Sequence, residues 1–458
     1  MRLTPIVCSV VLLSFALASC FAQTNAPPPS ASSSSNPAAP SPSAMPAAPS
    51  GPRLTREDAE RMALTSNPRV SISHLLALAQ HQVVRESRSA ELPTLIGSLT
   101  AQDANNASRI SSGSLSASRL FTRAGGGVNF SQLITDFGRT TNLVASSKLE
   151  ERAQQANDLA TREDVVLITD QAFYNALQAQ ALLQVAKQTV NLRQTTQVQV
   201  NQLTQNKLRS TLDLTFANVN LSQAQLLQLD AQNNAEATMA ALDEVLGLDH
   251  AMQYTLVDNT KSNPPPPPDE GSLLDLAIKQ RPDLQSLDLT RQSQEKFSHA
   301  QRDQVLPTIS AIGTVGGSPI RSDQYYVSSW DGAIAANLNI TLFNGFLYSA
   351  QAKEAQLRAQ ATAEQTRQLK NVIVRDVQTA WLDANNAFTR LGVTAQLLNQ
   401  ANESLALAGT RYKLGLSSIV ELSQAQLQQT EAEISNTNAQ YQYRLTLATL
   451  NFQTGVQQ

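Results

Sequence analysis

The sequence predicts an α+β chain made of two copies of one unit, in which short alternating strands lead into helices of unusual length. Three observations carry this. An ordered set of segments recurs. Apolar and polar residues alternate with period two in the same place in each copy. Long stretches then follow with no proline at all.

The recurrence is direct. Asn67-Pro68 corresponds to Arg281-Pro282, and Leu92-Pro93-Thr94 to Leu306-Pro307-Thr308, at one shared offset. Ser131 to Asp136 corresponds to Asn339 to Asn344, Ala172-Phe173-Tyr174 to Ala380-Trp381-Leu382, and Asp213-Leu214 to Glu421-Leu422, at a slightly shorter one. The length change falls between Thr94 and Ser131, where a loop joining two strands absorbs it. The units span 53–262 and 270–458.

The flanking segments are simpler. Arg2 precedes an apolar run from Ile6 to Leu17, too short for a spanning helix, which reads as a secretory leader over residues 1–22. It has two exits: Leu17-Ala18-Ser19-Cys20 resembles a lipobox that would leave Cys20 lipidated, and small residues also permit cleavage after Ala22. Both cysteines, Cys8 and Cys20, lie here, so the mature body has no disulfide. Residues 23–52 form a Pro/Ser/Ala tether with little to bury. Residues 263–269 hold five consecutive prolines and read as a stiff extended connector.

Within each unit a short helix is expected first, Thr55 to Thr65 and Gly271 to Gln280, then a longer one ending before Leu-Pro-Thr. In the second copy Ile309, Ala311, Gly313 and Val315 alternate with Ser310, Ile312 and Thr314. After a loop, Ile334, Ala336, Leu338, Ile340 and Leu342 alternate with Ala335, Asn337, Asn339 and Thr341. The first copy is fainter, with Leu95, Gly97, Leu99 and Ala101, then Val128 and Phe130; Gly125-Gly126-Gly127 before it reads as a flexible turn. About ten alternating residues suit a tilted strand crossing a bilayer, and equally an ordinary soluble hairpin. If the strands lie in lipid, four of them cannot close a ring, and the open edges force oligomerisation.

The helices come next. Arg139 to Leu246 contains neither Gly nor Pro, and Leu347 to Thr454 contains no Pro. An arm from about Thr140 to Asn206 would reach roughly 100 Å at about 1.5 Å per residue. Ala217, Ala224 and Ala231 recur every seventh residue, with Leu221, Ala235 and Leu242 interleaved; Ala425, Ala432 and Ala439 match them, with Leu422 and Leu450. Such a seam predicts helices side by side as a coiled coil, and by itself also fits a plain coiled-coil rod.

Each long stretch must turn back, because both arms carry a seam. The turns are Lys207-Leu208-Arg209-Ser210-Thr211-Leu212-Asp213 and Gly415-Leu416-Ser417-Ser418-Ile419-Val420-Glu421. Gly415 ends a helix through a left-handed residue. Ser210 and Ser418 each stand three residues before an acid, the spacing of a capping box. The tips expose Leu208, Leu416 and Ile419, a docking face for another coiled coil.

Leu-Pro-Thr before a strand, Ser131 to Arg139 at a strand end, its counterpart Asn339 to Gly345, and Arg411-Tyr412-Lys413-Leu414-Gly415 before the tip together resemble the TolC family of outer-membrane efflux proteins over roughly residues 53–458. The resemblance implies an α+β membrane protein of the bacterial outer membrane: a homotrimer whose chains give four strands each to a 12-stranded β-barrel, continued by a long α-helical coiled-coil barrel in the periplasm. It implies two partners, a periplasmic adaptor at the tips and an inner-membrane transporter. The docking positions are then Lys207, Leu208, Arg209 and Ser210 on one tip and Gly415, Leu416, Ser417 and Ser418 on the other. Glu421 takes an acidic gate position and Asp213 is its counterpart; Gln424 stands where a second acid is often found, and Lys207 stands where the second copy has Gly415. Arg209 is placed to pair with an acid across the tip.

Chemistry is otherwise sparse. A net charge of -3 lacks the basic surplus of a nucleic-acid binder. His74, His81, His250 and His299 have no ligand spacing, and no nucleophile motif or phosphate loop is present. No enzyme activity and no cofactor are expected. The rival reading is a periplasmic coiled-coil scaffold or adaptor without a barrel.

Overall fold

The computed structural model describes residues 52–103, 109–110, 118–119, 123–248, 254–258, 265–317 and 330–456, all within the compact unit Pro49–Gln458. The leader, Cys20, the tether up to residue 51, His250 and the first residues of the connector, Asn263 and Pro264, lie outside the described residues.

The elements run β1 (Arg53–Leu54), α1 (Arg56–Ser66), α2 (Pro68–Ser89), β2 (Thr94–Gln102), β3 (Arg109–Ile110), β4 (Ser118–Arg119), β5 (Arg123–Thr135), α3 (Arg139–Gln205), α4 (Thr211–Leu246), β6 (Thr255–Leu256), α5 (Glu270–Gln280), α6 (Pro282–Arg302), β7 (Thr308–Gly317), β8 (Asp331–Asn339), α7 (Leu347–Lys413) and α8 (Ile419–Thr454). Helices α3 and α7 are both 67 residues long, and α4 and α8 are both 36. At about 1.5 Å per residue the longer pair each reach roughly 100 Å.

Four strands form one antiparallel sheet in the order β2-β5-β7-β8, so strands from the two halves of the chain meet at β5 and β7. The register puts Leu95, Phe130, Gly313 and Ile334 in one row across the sheet, and Ile96, Asn129, Thr314 and Ala333 in the next. Strand alternation then gives two unlike faces. One carries Leu95, Leu99, Val128, Phe130, Val315, Ile334 and Leu338. The other carries Thr94, Ser98, Thr100, Asn129, Ser131, Thr314 and Asn337, with Ile96, Leu133 and Ile312 as its large apolar exceptions. The apolar face is bare: Leu99 is 94% exposed and Ile334 91%.

Two expectations are corrected here. Strand β8 ends at Asn339, so Ile340 and Leu342 lie beyond it, in the bend toward α7. Gly125-Gly126-Gly127 is not a turn but part of β5. Gly127 pairs with Gly316, and a Cβ on Gly127 would lie 2.8 Å from the Val315 carbonyl oxygen. These glycines let two backbones approach.

At both strand-to-helix junctions two consecutive residues take left-handed backbone: Phe137 and Gly138 (φ 55° and 110°), and Gly345 and Phe346 (φ 65° and 66°). The Asp136 carboxylate fixes the first bend, accepting from the backbone N–H of Thr140 (2.7 Å) and of Gly138 (3.3 Å). Both phenylalanines point into solvent.

Below the sheet, α3 is the spine. Its first part lies against α2 and α6, through Ser147 to Ser87 (2.7 Å) and Ser146 to Ser293 (3.0 Å). Its last part lies against α4 and α8, through Gln197 to Asn218 (3.2 Å) and Gln178 to Asn438 (2.7 Å). The alanine seam is buried as expected at Ala217, Ala224, Ala235, Ala425, Ala432 and Ala439, so the backbones of the paired helices come close.

Large side chains are buried mainly halfway along. Phe173, Tyr174, Leu177, Leu242 and Leu246 form one cluster with Ala59 and Ala63 of α1, and Ile373, Val377 and Leu450 form another with Leu273 and Ala277 of α5. The connector crosses this level: the Trp381 indole donates to the Pro268 carbonyl (2.9 Å) and the Tyr443 hydroxyl to that of Pro265 (2.5 Å). Proline has no N–H, but its carbonyls still accept. Phe173 is 2% exposed. Phe173→Ala should cost about 3–5 kcal/mol, read as a lower denaturant midpoint for the purified protein; an unchanged midpoint would show that this cluster does not hold the helices together.

Candidate functional site

The two hairpin tips share one backbone solution. At the α3–α4 turn the Lys207 N–H bonds to the Thr204 carbonyl (2.9 Å) and the Leu208 N–H to that of Leu203 (2.9 Å). At the α7–α8 turn the Gly415 N–H bonds to Tyr412 (3.1 Å) and the Leu416 N–H to Arg411 (2.8 Å). This is the Schellman ending, which satisfies the last helical carbonyls and needs one left-handed residue. Gly415 supplies it at φ 75°, and Lys207 supplies it at φ 59°. The sequence difference between the tips is therefore one of strain, not of shape.

The returning helices are capped by the expected serines. The Ser418 hydroxyl accepts from the Glu421 N–H (3.3 Å), whereas that of Ser210 accepts from the Leu212 N–H (3.1 Å), one residue earlier than the spacing suggested. The Glu421 carboxylate instead meets the Arg411 guanidinium at 3.2 Å, within its own hairpin and exposed to solvent. A pair so exposed contributes little to stability.

Arg209 reaches across to the other hairpin, though not to an acid. It donates to the Tyr412 carbonyl (2.9 Å) and its guanidinium lies 4.5 Å from the Tyr412 ring centre. Burial chiefly raises the Tyr412 phenol pKa, Arg209 opposes the rise, and Asp213 adds to it. Leu208 and Leu416 are exposed as expected, with Leu414 and Val420 beside them. Ile419 is not: it is 3% exposed and packs with Val200, Ala217, Tyr412 and Leu422 into a small core joining the hairpins. Ser417 is half-buried. The tips thus form one unit of two tied turns.

Further up the same seam lies a pair that no sequence pattern marked. Arg193 of α3 is 6% exposed and bonds to the Gln426 amide of α8, which also donates to the Thr196 hydroxyl (3.0 Å). Burial lowers the Arg193 pKa. Asn220 of α4 donates to Ser423 (2.8 Å) on the next turn of α8. The hairpins are joined through polar groups, which bond only in one register.

Halfway along the bundle, Arg56 bridges Glu60 (2.8 Å) and Asp170 (3.3 Å). Burial pushes both carboxyls up, Glu60 to about 7, with Asp170 adding to the rise of Glu60 and Arg56 opposing both. Glu163 is pushed up to about 7, chiefly by burial, with Asp283 and Asp164 adding and Arg281 opposing. Among the described residues no His/Cys/Asp/Glu group suits a metal ion.

A sheet with one apolar and one polar face, two unpaired edges and roughly 100 Å helical hairpins at one end defines a class: outer-membrane strand proteins with a helical periplasmic extension. A sequence profile described as outer membrane efflux protein matches residues 61–248 and 273–456. The chain belongs to that family. It is 25% identical over 422 residues to the outer membrane protein TolC of Escherichia coli (strain K12), covering 86% of this chain and 82% of that protein. It is 24% identical over 385 residues to TolC of Vibrio cholerae serotype O1, covering 81% and 84%. Among solved structures, a membrane protein from Pseudomonas aeruginosa superposes with TM-score 0.76 at 20% identity, over 87% of this chain and 93% of that one. The open state of the Neisseria gonorrhoeae MtrE outer membrane channel superposes with TM-score 0.72 at 18% identity, over 88% and 89%. These two show a shared fold. The chain is accordingly an outer-membrane exit channel of efflux, with its helical part in the periplasm.

Two measurements follow from the site. Lys207→Gly relieves about 1–2 kcal/mol of left-handed crowding and adds about 0.5–1 kcal/mol of chain entropy cost; net stabilisation of about 0.5–1 kcal/mol is expected by denaturant titration, and destabilisation would refute the strain. Glu163 binds its proton more tightly folded than unfolded, where it titrates near 4.5. The stability it brings is complete below that pH and is lost as pH rises through about 7. Glu163→Gln should therefore flatten the fall of the melting temperature across that window, and parallel curves would contradict the shift.

Proposed function

We propose that this channel is the passive outer duct of a tripartite efflux or type I secretion machine, working as a homotrimer and catalysing no reaction. The observation that carries the reading is the bare apolar sheet with free edges at β2 and β8. Three copies, four strands each, give a 12-stranded barrel with the apolar face to lipid and the polar face to the lumen. No backbone group is then left unpaired in lipid.

The helices support the same stoichiometry. Leu212, Phe216, Val219 and Leu226 leave an exposed apolar side on α4, and Ile72, Leu75 and Leu76 leave one on α2. Sister copies cover both and extend the barrel as a coiled-coil tunnel. The matched element lengths support a duplicated unit, 53–262 and 270–458, joined by the connector 263–269 behind a cleaved leader and tether. Cys20 is the lipid attachment point if the lipobox exit is used.

The tips carry the two remaining roles. Leu208 and Leu416, with Lys207, Arg209, Ser210, Gly415, Ser417 and Ser418, form the face for a periplasmic adaptor, which links the duct to an inner-membrane transporter. Glu421 and Asp213 are the acidic groups of the periplasmic gate. The Arg209–Tyr412 contact ties the two hairpins and favours the conformation in which they lie together.

Deleting the gene should raise sensitivity to part of a panel of toxic compounds, and a tagged copy should recover an adaptor. Unchanged growth with no adaptor recovered would end the efflux assignment, and a monomer soluble in plain buffer would favour the scaffold reading. In planar bilayers Glu421→Ala should raise single-channel conductance or shift cation selectivity, whereas an unchanged trace would remove Glu421 from the gate.

A further inference from the structure

The groove between α6 and α7 just below the sheet is a site of a different kind. It encloses about 550 Å³, and its polar lining includes Glu295, His299, Arg302, Lys353 and Gln356. Arg302 ends α6 six residues before β7 begins, and Lys353 lies six residues into α7. Lys353 therefore lies about 9 Å along α7 from the junction, at 1.5 Å per helical residue, and only the short turn Asp303–Val305 and Leu306-Pro307 separate Arg302 from β7.

Within the lining itself two cations, Arg302 and Lys353, stand against one carboxylate. The one carboxylate of the lining, Glu295, is held by Arg291 at 2.6 Å. The Lys353 ammonium is hydrogen-bonded to the neutral Gln356 amide (3.1 Å). The Arg302 guanidinium meets the His299 ring (3.2 Å) and lies 3.7 Å from Asp303. Two cations and an imidazole face one space, Arg302 paired with Asp303 only at 3.7 Å and Lys353 bonded to a neutral amide.

What lies above the groove is apolar. Val305, Leu306, Phe343, Phe346 and Leu347 are all exposed at the junction, and Phe343 and Phe346 stack edge to face at 5.6 Å. A water-facing rim of this kind is costly, whereas aromatic residues gather where a membrane meets water. The groove floor is cut by small residues, Ala352, Ala359 and Ala363. Further down, the same seven-residue stripe of α7, at Ile373 and Ala380, packs in the cluster formed with α5.

We infer that this upper groove seats the phosphate headgroup of an anionic phospholipid from the periplasmic leaflet, held by Arg302 and Lys353, with its acyl chains against the Phe343–Phe346 rim. The inference rests on the sheet being embedded in the membrane. It adds a specific lipid to a surface that otherwise needs only a generic one.

The test uses the full chain purified and delipidated in neutral detergent, with native mass spectrometry and thermal melting as readouts. Phosphatidylglycerol in mixed micelles should remain bound and raise the melting temperature, while phosphatidylcholine at equal fraction should not. Arg302→Gln with Lys353→Gln should lose roughly tenfold in phosphatidylglycerol occupancy, and Arg302→Lys with Lys353→Arg should retain it. Equal binding of both lipids, equal binding by the glutamine variant, or the same melting shift from inorganic phosphate alone would each overturn the site. Conductance in planar bilayers separates the two readings. A glutamine variant that forms normal channels and binds phosphatidylglycerol fully sinks the lipid seat alone, whereas wild-type protein that forms no channels sinks the embedding on which it rests.

Discussion

A strand at the edge of a sheet carries a row of amide and carbonyl groups that must be satisfied by something. In water the solvent does this. In hydrocarbon nothing does, and each unmade bond costs several kcal/mol. The sheet here has two such edges, β2 and β8, and an apolar face that water would not leave bare in a monomer of this kind. In the proposed trimer, closure with sister strands answers both problems together, and the helices attached to strands in such a ring would themselves stand in a ring.

Rods of this length cannot draw stability from one central core. The structure spreads it instead. Alanines at seven-residue spacing bring backbones together along the distal hairpins, at Ala217, Ala224, Ala425 and Ala432. Large apolar side chains collect halfway along, where α1 and α5 lie against the long helices around Phe173 and Ile373. The polar contacts along the seam, Arg193 to Gln426 and Asn220 to Ser423, contribute register more than energy. A buried hydrogen-bonded pair tolerates little sliding, since a slipped pair leaves desolvated donors and acceptors behind.

The tips show the same economy. Two turns of different sequence adopt one Schellman geometry, with Lys207 bearing a backbone conformation that Gly415 adopts freely. Arg209 and Tyr412 then join the turns beside the small core of Val200, Ala217, Ile419 and Leu422.

Local pattern decided a good deal by itself. Period-two alternation, seven-residue alanine spacing, the long absence of proline and the recurrence of Leu-Pro-Thr are properties of the chain alone, and they placed strands, helices and turns close to where they lie. Serine before an acid marked each cap, because a cap is made within four residues. The sequence could not place what depends on a neighbour distant along the chain. Gly125 to Gly127 looked like a turn because a glycine run lacks side chains, and only the approach of Gly316 shows why a strand needs them there. Ile419 looked exposed because it sits at a tip, and only Val200 and Tyr412 from the other segments bury it. Arg209, Arg193 and the carboxylate of Asp170 found their partners in the same way, across more than a hundred residues. Such contacts are settled by how the helices are packed, and no spacing along one helix encodes which side chain the next one presents.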